Sequence, residues 1–467
     1  LPAMDDSGSG ERSALTASGP GGSTAGAAKN RLPRAVGSAT LISCHRLLQP
    51  SILSNQAPMA TRPTKSMQGR DIHEHHRAAT TLELFFDLVF VVAIAAAARE
   101  LHHALTAHHV AQGLLGFALA FFAIWWAWMN YTWFASAYDT DDTRYRLTTL
   151  VQMFGALILA VGISDLFADV PQYTISVVGY AVMRLSMAAQ WLRAGREDLA
   201  HRTTCYRYAG GILLVQALWI LRLFLPPDWR VASLVPLIAA ELLVPVFAEH
   251  KALTPWHPHH IAERYGLLTI IVLGECILGV TNAINNILQA QGWSLDLFLL
   301  GFGVTALVFA LWWLYFEMPW GEVLARQRNR SVGFLFGYGH YLIFASLAGL
   351  GACLEVVADV VKLGHEAHVS GHGAEVAHGV SPLFGISAVA IAVAVYLSCI
   401  ALMRARAIDQ NSRIFTVLAG ALVFLLAAVA AVASGVPLAW ALLLTIASPV
   451  LMIGICPNAL TSANARG

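Results

Sequence analysis

The chain has 467 residues, 57% hydrophobic and only 12% charged, with a net charge of +1 and a mean hydropathy of +0.61. Soluble domains carry about 25% charged residues, so this composition excludes an ordinary soluble protein and places the chain in a lipid bilayer. Near-neutral charge says nothing about partners by itself. No basic stripe or nucleic-acid motif occurs, so no nucleic acid is expected.

Residues 1–58 differ from the rest, being rich in Gly, Ser, Ala and Thr, with Gly19-Pro-Gly-Gly22 and no periodicity. Such a segment cannot bury enough apolar surface to fold. It reads as a disordered tail, or as upstream sequence translated along with the gene. Leu41–Leu53 is too short and too interrupted to span, and no small-residue cleavage site makes it a signal peptide. Met59 looks like the natural start of a short basic cytoplasmic arm over 59–80.

Counting apolar runs of roughly 20 residues then gives about twelve spans. They fall near 81–103, 110–134, 147–168, 171–192, 204–225, 231–248, 262–287, 294–316, 331–361, 381–403, 413–433 and 436–456. The expected fold is therefore an all-α polytopic membrane protein. Positive charge gathers in alternate loops, at Arg144 and Arg146, at Arg193–Arg207, at Lys251 and Arg264, at Arg326–Arg330 and at Arg404–Arg413. The positive-inside rule makes those loops cytoplasmic, with both termini inside an inner (plasma) membrane.

The membrane part also repeats its landmarks. Glu83 opens a span followed by Trp125-Trp126, Tyr131 and Arg144; Glu263 opens one followed by Trp312-Trp313, Tyr315 and Arg326. Pro245-Val246 and Pro449-Val450 sit late in the sixth and twelfth spans. Two units of six spans enter from the same side, so they form parallel six-helix repeats, over 81–248 and 262–456. Residues 249–261 are the cytoplasmic linker and 457–467 a C-terminal tail.

Chemistry concentrates in few places. Glu83 and Asp87 stand four apart and share a helix face at the start of the first span. Asp87, Arg184, Glu241 and Glu275 lie inside apolar runs, where an ionised group costs several kcal/mol unless it meets protein, water or a cation. Three carboxylates against one arginine leave an excess of negative charge, the signature of a cation or proton pathway through Asp87, Glu241 and Glu275. The structural alternative pairs Arg184 with Glu241 or Glu275. Asp87 and Glu275 have no obvious adjacent countercharge.

Glycines around Glu275 permit either close helix packing or a locally unwound backbone. Gly333-Phe-Leu-Phe-Gly337 suits close packing, and His340 reads as a hydrogen-bonded core histidine. His102, His103, His365, His368, His372 and His378 crowd two loops on the same expected side; with Glu366 and Glu375 they suit a transition metal, or are simply solvated. Tyr138-Asp-Thr-Asp-Asp142 suits a helix N-cap better than a cation cluster. Paired tryptophans suggest interface anchors. The cysteines lack metal or disulfide spacing, and no nucleotide or hydrolase fingerprint occurs, so no cofactor is expected.

Thr81-Leu-Glu-Leu-Phe-Phe-Asp-Leu-Val-Phe90, Trp125–Ser136, Tyr138–Asp142 and Glu263-Arg-Tyr-Gly-Leu-Leu-Thr-Ile-Ile-Val-Leu-Gly-Glu275 together resemble the bacterial low temperature requirement protein A (LtrA) family. The resemblance runs from about residue 70 to the last helix. It implies a polytopic inner-membrane protein named for a growth phenotype in the cold, and no catalytic residues. Phe86–Ile94 is also similar to the first helix of lysosomal-type potassium channels built from six-helix repeats. Those channels have an arginine before the motif, where this chain has Glu83. Polar residues spread over several helices favour a transporter or permeation pathway for a small solute or cation, and not an enzyme. The alternatives are a membrane-embedded enzyme using carboxyls and His340 on a hydrophobic substrate, and a sensor or assembly protein without flux.

Overall fold

A computed structural model describes residues 64–455 apart from 76, 169, 328–329, 371–379 and 409–410. The expectations for 1–58 and for the C-terminal tail lie outside the described residues. Fourteen α-helices are described, in the order α1 (Thr81–Thr106), α2 (Val110–Tyr138), α3 (Thr143–Val161), α4 (Thr174–Glu197), α5 (Arg202–Arg222), α6 (Pro227–Ala232), α7 (Leu234–Ala248), α8 (Pro258–Gln291), α9 (Leu295–Phe316), α10 (Trp320–Arg326), α11 (Arg330–Ser370), α12 (Pro382–Ile408), α13 (Asn411–Ala433) and α14 (Leu438–Ile455). No strand occurs among the described residues.

Every one of the twelve expected spans falls on a helix, and the two remaining helices, α6 and α10, are short. Among the described residues nine segments are long and apolar enough to cross a bilayer. The other three helices, α3, α5 and α14, fall short for physical reasons. α3 and α5 carry Arg144, Arg146, Gln152, Arg202, Arg207 and Gln216, while α14 is apolar but only 18 residues long.

The helix ends are chemically specified. Thr80 and Glu83 form a capping box at the start of α1. Asp142 caps α3 by accepting from the Tyr145 amide at 2.9 Å, so the aspartate-rich turn is a cap, as its sequence suggests. His257 caps α8, accepting from the His260 amide at 3.3 Å, with Pro258 at the first helical position. The arm before α1 folds back beneath these ends. The Arg70 amide donates to Ala137 O at 2.9 Å, the Lys65 amide to Asp142 Oδ2 at 3.1 Å, and Met67 is fully buried.

Neighbour relations are similar in the two halves. α1 packs on α2 and α3, and α8 on α9 and α11; α3–α4–α5 run side by side, as do α11–α12–α13. α1, α8 and α11 meet at the centre. One relation differs: α14 packs along α9, whereas no comparable packing joins α7 to α2 among the described residues.

Trp125 and Trp126 are buried, 3% and 0% exposed, which corrects their reading as interface anchors. Their positions face neighbouring helices, not lipid. Trp312 and Trp313, at 38% and 46%, do lie on the outside. Around Glu275 α8 is continuous helix, so the unwound alternative falls. The Gly333 and Gly337 faces accommodate the Trp133 ring, which a Cβ at either would touch at about 3.4–3.5 Å.

Candidate functional site: a charged cavity and a buried ion cluster

α1, α8 and α11 run in the same direction, since early residues meet early ones (Asp87 with Arg264) and late meet late (His102 with Asp359). Along these three helices polar groups collect at two levels.

The first level is a dry ion cluster near the helix starts. Arg264 of α8 grips Asp87 of α1, with Nη2 to Oδ1 at 2.6 Å and Nε to Oδ2 at 3.2 Å, and Trp128 Nε1 donates to the same carboxylate at 2.7 Å. Arg264 Nη1 lies 3.1 Å from Glu83 Oε1, off-line for a hydrogen bond but close enough for strong ionic attraction, and His260 Nε2 lies at the same distance from that oxygen. Arg77 reaches from the arm to within 3.6 Å of both Glu83 and Asp139. Two guanidiniums thus face three carboxylates. Asp139, beyond the end of α2, absorbs the imbalance: burial and the nearby Glu83 charge push its carboxyl up to about 6, against the pull of Arg77.

The second level is an open cavity of about 380 Å³. Its walls are Ala95–His102 of α1, Val272–Ile287 of α8 and Ala348–Lys362 of α11, so it extends about 20 Å along the helices at 1.5 Å per residue. Glu275 lies toward its inner end, with Arg99 nearby. His102 Nε2 meets Asp359 Oδ2 at 2.7 Å, and its Nδ1 lies 3.9 Å from Glu355. Asn282, Asn286 and Lys362 continue the polar lining outward. The remaining walls are small side chains, and Gly279 makes room for Glu355: a Cβ there would fall 2.2 Å from its Oε1.

Between the two levels, about 16 Å apart from Arg264 to Glu275, the helices present buried apolar residues. Phe90 and Ile94 on α1, Leu268 on α8, and Phe344 and Leu347 on α11 are at most 2% exposed. The cavity therefore ends blind.

The expected pathway residues separate on this framework. Glu275 lines the cavity; Asp87 and Glu241 do not. Asp87 has a countercharge after all, in Arg264, which sequence reading had assigned to a loop but which sits in the second turn of α8, fully buried. Glu241 accepts from Arg184 Nη2 at 2.7 Å, Trp126 Nε1 at 2.9 Å and Tyr180 Oη at 2.9 Å. Arg184 thus pairs with Glu241 and not with Glu275, and the apparent excess of negative charge moves to the cavity.

His102 joins the cavity, and His103 stands beside it on α1. His372 and His378 lie outside the described residues, and only the backbone of His365 and His368 is described. Among the described residues no cluster of His, Cys, Asp or Glu has the arrangement of a metal site. His340 is sealed: its Nδ1 meets the Phe336 carbonyl at 2.7 Å, so that nitrogen carries the proton and Nε2 accepts from Tyr315 Oη at 2.9 Å. It is fully buried and lines none of the described cavities, so it fits a packing role better than acid–base work.

Glu355 and Asp359 were missed in the sequence although a signal existed. They repeat the four-residue spacing of Glu83 and Asp87, within the last two turns of the span expected over 331–361.

Comparison with known proteins places these helices. Residues 78–450 match the model of the bacterial low temperature requirement A protein (LtrA) family. An uncharacterized protein of Rhizobium meliloti (strain 1021), RA0937, is 28% identical over 281 residues. That alignment covers 57% of this chain and 66% of the relative.

Proposed function

The chain belongs to the bacterial low temperature requirement A family, and we propose that this member is a pathway for a small solute or cation across the membrane, built on α1, α8 and α11. The observation that carries the reading is the cavity reaching Glu275 while the far end of the same three helices is closed by apolar side chains and the Arg264 cluster. An ionisable residue inside a span is retained where it meets water or a passing charge, and Glu275 is placed to do so. Small, polar walls suit a hydrated or dipolar solute better than a lipid.

The recurring neighbour relations support two parallel six-helix repeats, with α1 and α8 as their first helices. The basic loops support placing the Arg264 end in the cytoplasm, so that the cavity opens outward. Passage then requires the apolar layer and the ion cluster to part, a closed state of the kind alternating access uses. The reading assigns the protein no chemical conversion of what it carries.

The test is flux in proteoliposomes for K⁺, Na⁺, H⁺ and a panel of amino acids. At least one should cross faster than in protein-free vesicles. Glu275→Gln should abolish that flux, and Glu263→Gln should leave most of it. Wild-type vesicles no faster than empty ones for every probe would sink the pathway reading and favour a non-transporting sensor.

A further inference from the structure

A second cavity, independent of the pathway, opens where α2 stands off from α7. It is narrow, about 60 Å³, and lined by Phe122, Tyr173, Tyr180, Trp219, Leu234 and Ile238 among others. Two of its polar groups are engaged, Ser176 Oγ donating to Gly162 O at 2.8 Å and Tyr180 Oη to Glu241 at 2.9 Å, which leaves the Trp219 indole N–H without a hydrogen-bond partner among the described residues. One donor falls short of the two to four partners a buried water needs, and hydrocarbon fits the walls. By the same measure one water needs roughly 10–15 Å³, so there is room for a stretch of one chain and not for a ring system.

At the rim stands an arginine without an anion. The Arg222 guanidinium lies 4.0 Å from the Tyr173 ring centre and 5.7 Å from that of Trp219, both of them cavity walls. Its Nε donates to Arg230 O at 2.9 Å; among the described residues the buried Nη1 and Nη2 make no hydrogen bond of good geometry, the Tyr173 side chain being the polar group that interacts with the guanidinium. Neither Arg222 nor Arg230 has a carboxylate within ion-pairing distance among the described residues, and Arg230 adds a second positive charge beside the first. Orphaned buried donors of this kind are destabilising unless something accepts from them. The surrounding corner carries Phe224 and Trp229, 79% and 66% exposed, the residue types that sit at the headgroup level of a bilayer.

We infer that this corner is a phospholipid site: one acyl chain lies in the crevice between α2 and α7, and the phosphate is bound by Arg222 and Arg230. The apolar walls select the chain and the unpartnered guanidinium selects the anionic headgroup. Among the described residues α2 and α7 meet only sparsely, through Trp126 on Glu241, where α9 and α14 close together along their length, and this leaves the way in from the bilayer.

Native mass spectrometry of the delipidated full chain tests this with dioleoyl phosphatidylglycerol, dioleoylglycerol and glycerol 3-phosphate as probes. One phosphatidylglycerol should bind, with the uncharged lipid about tenfold weaker, the effect of one lost charge-assisted contact. Glycerol 3-phosphate should not bind. Arg222→Leu and Ile238→Trp should each weaken phosphatidylglycerol about tenfold, and Arg222→Lys should recover part of the loss. Phosphatidylglycerol should also raise the melting temperature of the wild type and not of Arg222→Leu, a linkage that a merely structural arginine would not produce. No one-to-one lipid complex, unchanged affinity in both variants, or equal binding of glycerol 3-phosphate would each overturn the proposal. Should Arg222→Leu fail to fold, Ile238→Trp decides alone, because it fills the crevice and leaves the arginine in place.

Discussion

Arg264 Nη2 lies 2.6 Å from Asp87 Oδ1, joining α8 to α1 across 177 positions of the sequence. Both side chains are fully buried, so each is tolerable only because the other is present. Removing one partner leaves an uncompensated charge, which costs about 3–5 kcal/mol. Arg264→Leu should therefore lose most of its folded yield in detergent. Adding Asp87→Asn should restore part of it, because the stranded charge is the main cost. A double variant no better than Arg264→Leu alone would show that the pair does not account for the loss.

The Arg184–Glu241 pair gives a parallel expectation with a built-in control. Arg184→Ala should lower the melting temperature, and Glu241→Gln should rescue part of that loss, because Gln still accepts from Trp126 and Tyr180 without a charge. Glu275→Gln should rescue nothing, since Glu275 lies in the cavity. Rescue by Glu275→Gln instead would reverse the assignment.

Asp139 predicts a pH dependence of opposite sign to the usual carboxylate. Its folded value is about 6, above the roughly 3.9 of an unfolded aspartate. Between those values the folded chain binds the extra proton, so this group's contribution to stability falls as pH rises through the window and is lowest above it. Asp139→Asn keeps an acceptor for the Asp141 amide, 2.9 Å away, and removes the titration. Its advantage over wild type should grow from pH 4 to pH 7 and then level off at up to about 3 kcal/mol. Chemical denaturation at several pH values measures it. An advantage that stays constant with pH would show that Asp139 does not titrate there.

Gly279 supplies a steric test of the cavity. A methyl group at this position would collide with Glu355, so Gly279→Ala should displace that carboxylate and alter flux while α8 stays helical. Pairing it with Glu355→Ala relieves the collision, and the double variant should then match Glu355→Ala alone. Additive losses would place the two residues in separate roles.

Accessibility tests the direction of opening. With native cysteines removed, Asn286→Cys at the cavity wall should react with a membrane-impermeant maleimide in intact cells, and Lys65→Cys only after permeabilisation. The reverse pattern would invert the orientation drawn from the basic loops.

The sequence by itself located twelve helices, nine of which among the described residues are long and apolar enough to cross a bilayer, and it gave the membrane setting. A run of apolar residues is bounded by the thickness it must cross, and a helix N-cap is satisfied within three or four residues. Both are local requirements, which is why Asp142 was legible as a helix start. Composition also marked Asp87, Arg184, Glu241 and Glu275 as charges that needed a reason. Only the tertiary structure decided what each reason is. Asp87 finds its arginine on α8 and Glu241 finds its own on α4, partners 177 and 57 positions away, whereas Glu275 faces open space bordered by Glu355 and Arg99. Ion pairing acts over a few ångströms in space and is indifferent to distance along the chain. A list of buried charges therefore stays ambiguous until the helices are packed.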